Sequence, residues 1–229
     1  MTQKVIFFDI DGTLLSTGGA GQKAIEMALM AEFQIEFPFE GVLTAGRTDR
    51  GIADEVLERY QHQNSQENRD RFRLAYLDRL PTTLADAPGK LLPRVAELVH
   101  ELAQHDHITL SVLTGNYEAA AWIKLRHYQL EQYFTFGGFG DDEADRDEVA
   151  RLALRAARHA LNHPIDGAHT MVIGDTPADI RCARAIGAKA VAVATGTYDV
   201  IQLQPHSPDH LFENFSETDD VVKRILELL

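Results

Sequence analysis

The stretch K-V-I-F-F-D-I-D-G-T-L-L, Lys4 to Leu15, decides how the rest of the chain is read. Val5 to Phe8 form a short apolar run of β-branched and aromatic residues, the composition of a buried strand. Gly12 breaks it. Asp9 and Asp11 therefore sit where a strand ends, and the period-two geometry of a strand turns both carboxylates to one side. Charge at the mouth of a buried strand is costly unless something pairs with it. For two carboxylates the natural partner is a cation. Taken alone, D-G is also an ordinary turn signal, and an acidic turn would explain the pair without chemistry. The remainder of the chain separates the two readings.

Strands resume only far downstream. Leu91 to Gln104 reads as a helix, with Val95, Leu98, Val99 and Leu102 on one face and Pro93 in its first turn. Ile108 to Leu113 is a strand ending in Thr114-Gly115-Asn116. Tyr117 to Leu130 is helical, Phe134 to Gly138 a short strand, and Asp147 to Leu161 a helix. Thr170 to Ile173 is a strand ending in G-D-T-P, and Pro177 to Ile186 a helix closed by Gly187. Thr176-Pro-Ala-Asp179 has the form of a capping box with proline in the first helical position. Ala190 to Ala194 is a strand ending in Thr195-Gly196, and Asp219 to Leu229 is the last helix. Strands alternating with helices predict an α/β fold: a Rossmann-like parallel sheet flanked by helices.

Between the first strand and this alternation lies an all-helical insertion. S-T-G-G-A-G, residues 16 to 21, reads as a flexible joint, and P-T-T-L-A-D-A-P-G-K, residues 81 to 90, as a second loop-like joint. Three apolar stripes lie between them: Ile25, Ala28, Leu29 and Phe33; Ile52, Ala53, Val56, Leu57 and Tyr60; and Phe72, Tyr76, Leu77 and Leu80. The sequence thus predicts a core domain of residues 1–16 and 88–229 carrying an inserted helical cap of residues 17–87. The polar loop V-L-T-A-G-R-T-D-R-G, residues 42 to 51, holds Arg47 and Arg50, with Asp49 placed to cap the next helix.

Composition narrows the function classes. The chain has 229 residues, 45% of them hydrophobic, and a formal net charge of −13. That suits one large domain, or one domain carrying a smaller one, with a sizeable core. Such an acidic surface repels nucleic acid and anionic membrane. A single cysteine, Cys182, excludes a disulfide framework or a cysteine metal cage, and its helical setting marks it as a core residue. The apolar run before Asp9 is too short for a signal peptide, and no run approaches the length of a membrane span. A soluble cytoplasmic protein, monomer or homodimer, is expected.

The strand ends carry Asp9 and Asp11, Thr114, the Gly138 loop, Asp175 and Thr195. In open parallel sheets ligands bind beyond the carboxyl ends of the strands, so these side chains converge on one edge. At this point the sequence resembles the haloacid dehalogenase-like phosphohydrolases over nearly its whole length. D-I-D-G-T at 9 to 13 matches the first motif of that family. Thr114 of V-L-T-G-N matches the second, and G-D-T-P-A-D at 174 to 179 the fourth. The insertion resembles the family's helical cap, and the arrangement is most similar to phosphoglycolate phosphatases and related sugar-phosphate phosphatases and phosphomutases. The third motif departs from the pattern. It normally supplies a lysine, and no lysine stands between Lys124 and Lys189. Arg146 and Arg151 are the replacements on offer, Arg146 being nearer the strand ends. Arginine keeps the charge but meets oxygen pairs as a planar fork.

Four carboxylates at one sheet edge repel each other and any phosphate. Two like charges 4 Å apart at an effective dielectric near 20 repel by about 4 kcal/mol. A divalent cation resolves this, and all-oxygen ligands without histidine or cysteine point to Mg²⁺. The resemblance implies that Mg²⁺ meets the side chains of Asp9 and Asp175 and the main-chain carbonyl of Asp11, with Asp179 holding metal-bound water. It makes Asp9 the nucleophile, giving an aspartyl-phosphate, and Asp11 the general acid and then base. Thr114 and the Gly115 and Asn116 amides would hold phosphoryl oxygens, and Arg146 would balance transition-state charge. Arg47 faces either substrate or solvent. The expected activity is Mg²⁺-dependent hydrolysis of a small phosphorylated metabolite, phosphoglycolate or sugar phosphate. The rivals are a sugar phosphomutase of the same family and, from another class, a phosphorylation-switched binding domain.

Overall fold

In the computed structural model, which describes residues 2–229, the Val5–Phe8 run is buried on both sides. Val5 and Phe7 enter one hydrophobic cluster and Ile6 and Phe8 another. A strand covered on both faces needs this unbroken apolar run rather than an alternating one. This strand, β1 (Lys4–Phe8), is followed by the short β2 (Leu15–Ser16) and β3 (Lys90–Leu91), which pair antiparallel with each other. The later strands are β4 (Ile108–Leu113), β5 (Gly137–Gly138), β6 (Thr170–Gly174), β7 (Lys189–Val193) and β8 (His210–Phe212). Six of the eight form one parallel sheet in the order β5-β4-β1-β6-β7-β8. Val5 lies opposite Thr109 of β4 on one side and Thr170 of β6 on the other. The chain therefore reverses direction across the sheet at β1, and the crevice at its carboxyl end is the place where such sheets bind ligands.

Helices cover both faces. Leu98 and Leu102 of α4 (Val95–Ala103), Leu125 of α5 (Glu118–His127) and Val221 and Ile225 of α9 (Thr218–Leu228) pack on Ile6, Phe8, Val112 and Ile173. Val149, Ala153 and Ala157 of α6 (Arg146–Leu161) and Ile180 and Ala183 of α7 (Pro177–Ala185) pack on Val5, Phe7 and Val172. Cys182 sits fully buried in the second cluster, as its helical setting predicts. Gly187 follows α7 with φ +70°, the left-handed conformation of a helix-ending glycine.

The inserted segment folds as three helices, α1 (Ala20–Phe33), α2 (Asp49–Arg59) and α3 (Gln66–Asp86), around their own cluster. Leu29, Val56, Leu57, Phe72, Tyr76 and Leu80 form its centre, and Tyr117 and Ala120 of the core join it. Phe72 and Tyr76 stack with centroids 6.1 Å apart, and both rings lie tilted against Tyr117.

The structure corrects three local expectations and adds two elements. Residues 81 to 86 are not loop: α3 runs through Pro81 to Asp86. An internal proline removes one helix hydrogen bond and strains the preceding turn, at about 3 kcal/mol. Leu80, Thr83 and Leu84 are all buried on the cap's inner face, so packing carries the helix past it. Asp49 does not cap α2. Thr48 does, its hydroxyl accepting from Gly51 N–H at 3.0 Å, which frees the Asp49 carboxylate for another contact. Pro93 lies ahead of α4, which begins at Val95, rather than in its first turn. A last parallel strand, β8, and the short α8 (Val200–Leu203) lie beyond the expected elements, because three residues, two half-buried and one buried, are too few to leave a pattern. No helix among the described residues is long and apolar enough to cross a membrane.

Candidate active site

Three of the side chains expected at the site, Asp9, Thr114 and Asp175, stand one residue beyond a strand. Asp9 follows β1 and donates its N–H to Ile173 O at 2.9 Å, still in strand register. Gly12 then turns the chain with φ +84°. A side chain there would also collide with Asp175, since a Cβ would lie 2.4 Å from Asp175 Oδ2. Asp175 follows β6 and accepts from Thr13 Oγ1 at 3.1 Å. Asp179, in the first turn of α7, uses Oδ2 to accept from the Thr176 N–H at 3.0 Å and the Thr176 hydroxyl at 2.7 Å. The capping motif read from T-P-A-D is thus present, and it leaves Asp179 Oδ1 facing the site.

Asp9, Asp175 and Asp179 each bring one carboxylate oxygen within 4.8 Å of the others, and all three are buried. Burial pushes the Asp9 carboxyl up to about 7, with Asp179 and Asp11 adding to the effect and Arg146 opposing it. Burial also pushes Asp175 up to about 8, with Asp179 and Asp9 adding to it. Both acids resist ionisation until more positive charge arrives. The donor set fits a hard divalent cation: three carboxylates, no imidazole, no thiolate. The Asp11 side chain stands apart, 40% exposed in the cavity.

The positive charge already present is Arg146, at the start of α6 and almost wholly buried. Its Nη2 bonds Asp179 Oδ1 and lies 3.6 Å from Asp9 Oδ1. Arg151, one turn further, is exposed and pairs with Glu148 on its own helix. Of the two candidates for the missing lysine, only Arg146 reaches the site.

Thr114, Gly115 and Asn116 form the turn after β4. Thr114 is fully buried, and its hydroxyl oxygen accepts from Asn116 Nδ2 at 2.7 Å, leaving its proton for the cavity. Gly115 is held between layers: a Cβ would fall 2.0 Å from the Arg47 carbonyl oxygen and 2.9 Å from Arg146 Nη1. The cap loop docks here. Asp49 N–H donates to Gly115 O at 2.7 Å, and Asp49 Oδ2 accepts from Tyr117 N–H at 2.9 Å. Further along, Arg73 of α3 pairs with Asp141 at 2.7 Å, and Thr48 donates to Ala144 O at 3.2 Å.

Between the helical segment and the sheet edge lies a cavity of about 460 Å³. Asp9, Asp11, Thr114, Arg146 and Asp175 form its floor, and Arg47, Asp49, Ile52 and Tyr76 its cap wall. Arg47 lines it, but its guanidinium is engaged by the Glu55 carboxylate and by Gly51 O at 2.8 Å. Glu55 is correspondingly held below the usual carboxylate range, chiefly by its hydrogen bond from Arg47.

The fold has counterparts among known proteins. The model of the haloacid dehalogenase-like hydrolases matches residues 6–184, which spans Asp9 to Asp179. The chain belongs to that family. Among haloacid dehalogenase-like hydrolases it is 25% identical to a phosphoglycolate phosphatase of Photorhabdus laumondii, over 93% of this chain and 90% of that one. It is 22% identical to pyrophosphatase PpaX of Oceanobacillus iheyensis, over 97% and 98%. A predicted phosphatase of Clostridium acetobutylicum shares the fold with a TM-score of 0.72 and 19% identity, over 99% of this chain and all of the other.

Two residues stand at the site without having been expected there from the sequence. Lys124 of α5 is 3% exposed, with Nζ 2.6 Å from both Asp11 Oδ2 and Asn116 Oδ1. Its signal was its position three and four residues after Ala121 and Ala120, on a stripe that should bury. Asp49 is the other. Burial pushes its carboxyl up to about 6, with Lys124 and the Tyr117 N–H opposing. Between about pH 4 and 6 the folded protein therefore holds a proton that the unfolded chain has released, so this group's contribution to stability falls as pH rises through that window. Asp49→Asn keeps an acceptor for Tyr117 N–H and removes the ionisation. Chemical denaturation should find the variant close to wild type at pH 4 and more stable by on the order of 1–3 kcal/mol at pH 7. A difference that does not change between those two pH values would contradict this account of Asp49.

Proposed function

We propose that the protein is a Mg²⁺-dependent phosphatase that hydrolyses small phosphomonoesters, of phosphoglycolate or sugar-phosphate type, through an aspartyl-phosphate at Asp9. The observation that carries this reading is the convergence of Asp9, Asp175 and Asp179 at the carboxyl end of the sheet, with Asp9 and Asp175 lining the cavity there. Asp9, Asp175 and the Asp11 carbonyl would hold the ion, with Asp179 behind them. Bound there, Mg²⁺ supplies charge compensation for a phosphoryl group among carboxylates.

The remaining steps belong to this chain's own residues. Asp9 is the nucleophile, standing at the rigid end of the central strand. Thr114 Oγ1 and the Gly115 and Asn116 N–H groups hold the phosphoryl oxygens, and Arg146 offsets the charge that builds on them. Asp11, exposed to the cavity and outside the three-carboxylate cluster, serves the leaving oxygen as acid and then the attacking water as base. The cap of residues 17–87, docked on the core of residues 1–16 and 88–229, covers the carboxyl end of the sheet, and Arg47 belongs to its substrate-facing wall. A volume near 460 Å³ suits a small metabolite and not a polymer. The net charge of −13 disfavours polyanions independently.

Phosphate release from p-nitrophenyl phosphate, followed by a screen of phosphorylated metabolites, tests the reading. Phosphate should appear with Mg²⁺ and stop on chelation with EDTA. Release that is indifferent to EDTA, or none with Mg²⁺ present, would contradict it. Conversion of a sugar phosphate to its isomer without free phosphate would instead favour the phosphomutase.

A further inference from the structure

Three cations line the cavity among the described residues: Arg47, Lys124 and Arg146. Arg47 is engaged by Glu55, and Arg146 serves Asp9 and Asp179. Lys124 does neither. Its helix, α5, buries Ala120, Ala121 and Leu125 beside it, so its ammonium group lies on a stripe where an unpaired charge would be costly. The partners it finds are Asp11 Oδ2 and Asn116 Oδ1, each at 2.6 Å. Asn116 Nδ2 closes the triangle, donating to the same Asp11 Oδ2 at 2.8 Å and to Thr114 Oγ1 at 2.7 Å.

We propose that Lys124 is the positioning residue for Asp11: with Asn116 it fixes Oδ2 and thereby assigns Oδ1 to the leaving oxygen. The proposal rests on the phosphatase reading above, in which Asp11 is the general acid. Asp11 is 40% exposed and would otherwise rotate freely in the cavity. Two donors on Oδ2 remove that freedom. In the first chemical step an Asp9 oxygen forms a bond to phosphorus and the bond from phosphorus to the leaving oxygen breaks. The electron pair of that bond stays on the leaving oxygen, which takes the proton from Asp11 Oδ1. Asp11 is left as a carboxylate, and its new charge faces the Lys124 ammonium.

The role of Lys124 is therefore felt through proton donation, not through binding of the phosphoryl group. The test is a series of aryl phosphates of similar shape and decreasing leaving-group acidity, from p-nitrophenyl to phenyl to 4-methoxyphenyl phosphate. The parameter kcat/KM isolates the first step. Lys124→Met should lower it by about tenfold for p-nitrophenyl phosphate, which needs little protonation, and by on the order of 10²–10³ for the poorer leaving groups. The double variant Asp11→Asn/Lys124→Met should be no slower than Asp11→Asn alone. A loss of the same factor across the series, or a further loss in the double variant, would overturn the proposal and make Lys124 a direct phosphoryl contact. Melting temperatures check that the variants fold. If Lys124→Met does not, Asn116→Ala removes the second donor and must steepen the leaving-group dependence in the same way. A wild-type protein that hydrolyses no member of the series would count against the phosphatase reading itself, and the proposal would fall with it.

Discussion

Asp9→Asn is expected to lose turnover by on the order of 10⁴ or more, while gaining stability when metal is withheld. The two effects have one cause. Asp9 is buried beside Asp179 and near Asp11, and its carboxyl is pushed up to about 7. Its ordinary value is 3.8. Over the interval between, the folded state retains a proton that the unfolded chain has lost, so stability falls as pH rises from about 4 to about 7 and the loss stays constant beyond that. Asparagine has nearly the same shape and no charge to bury, but its amide is no nucleophile towards phosphorus. Thermal melts at pH 8 in EDTA should place the variant above wild type, and phosphate release with Mg²⁺ should be lost. Turnover above roughly one per cent of wild type would remove Asp9 from the nucleophile's position.

Arg146→Met should have the largest effect on stability. The guanidinium is 4% exposed and faces two buried carboxylates, Asp9 and Asp179. Removing one partner of a buried ion pair costs about 3–5 kcal/mol, because the other charge is left uncompensated. For a chain of this size that corresponds to a fall in Tm of about 6–20 °C. A divalent cation bound by the same carboxylates should recover part of the loss, so the gap between variant and wild type narrows at saturating Mg²⁺. Differential scanning fluorimetry with and without the ion reads both quantities. An Arg146→Met protein that melts with wild type in EDTA would show that the pair contributes nothing, and a gap that widens with Mg²⁺ would place the ion elsewhere.

The parts of the molecule legible in the sequence are those written in contiguous residues. Val5 to Phe8 run directly into Asp9, and Gly174-Asp175-Thr-Pro-Ala-Asp179 spells strand end, cap and helix start in six positions. Local patterning also sufficed for the alternation that sets the parallel sheet. Lys124 was harder to find. A lysine on a helix reads as a solvated charge, and only the two alanines one turn before it mark its face as buried. Asp49 was expected in a cap. It lies one residue inside the helix instead, because Thr48 takes the capping bond and the Asp49 carboxylate crosses to Tyr117. That crossing depends on how the cap docks, which no local window encodes. Pro81 failed in the opposite direction: a strong local breaker was overridden by the burial of Leu80 and Leu84 against the other cap helices. The choice between Arg146 and Arg151 is a matter of helix phase. Five residues apart on α6, they face nearly opposite ways, one into the carboxylates and one to solvent.

Covalent capture of the phosphorylated enzyme tests the central assignment most directly. An aspartyl-phosphate is reduced by borohydride to homoserine at the position that carried it. Turnover of p-nitrophenyl phosphate with Mg²⁺, quenched into borohydride and mapped by peptide mass spectrometry, should place homoserine at position 9, and only when substrate is present. Reduction at any other aspartate, or an unmodified Asp9 in protein quenched during active turnover, would contradict the account.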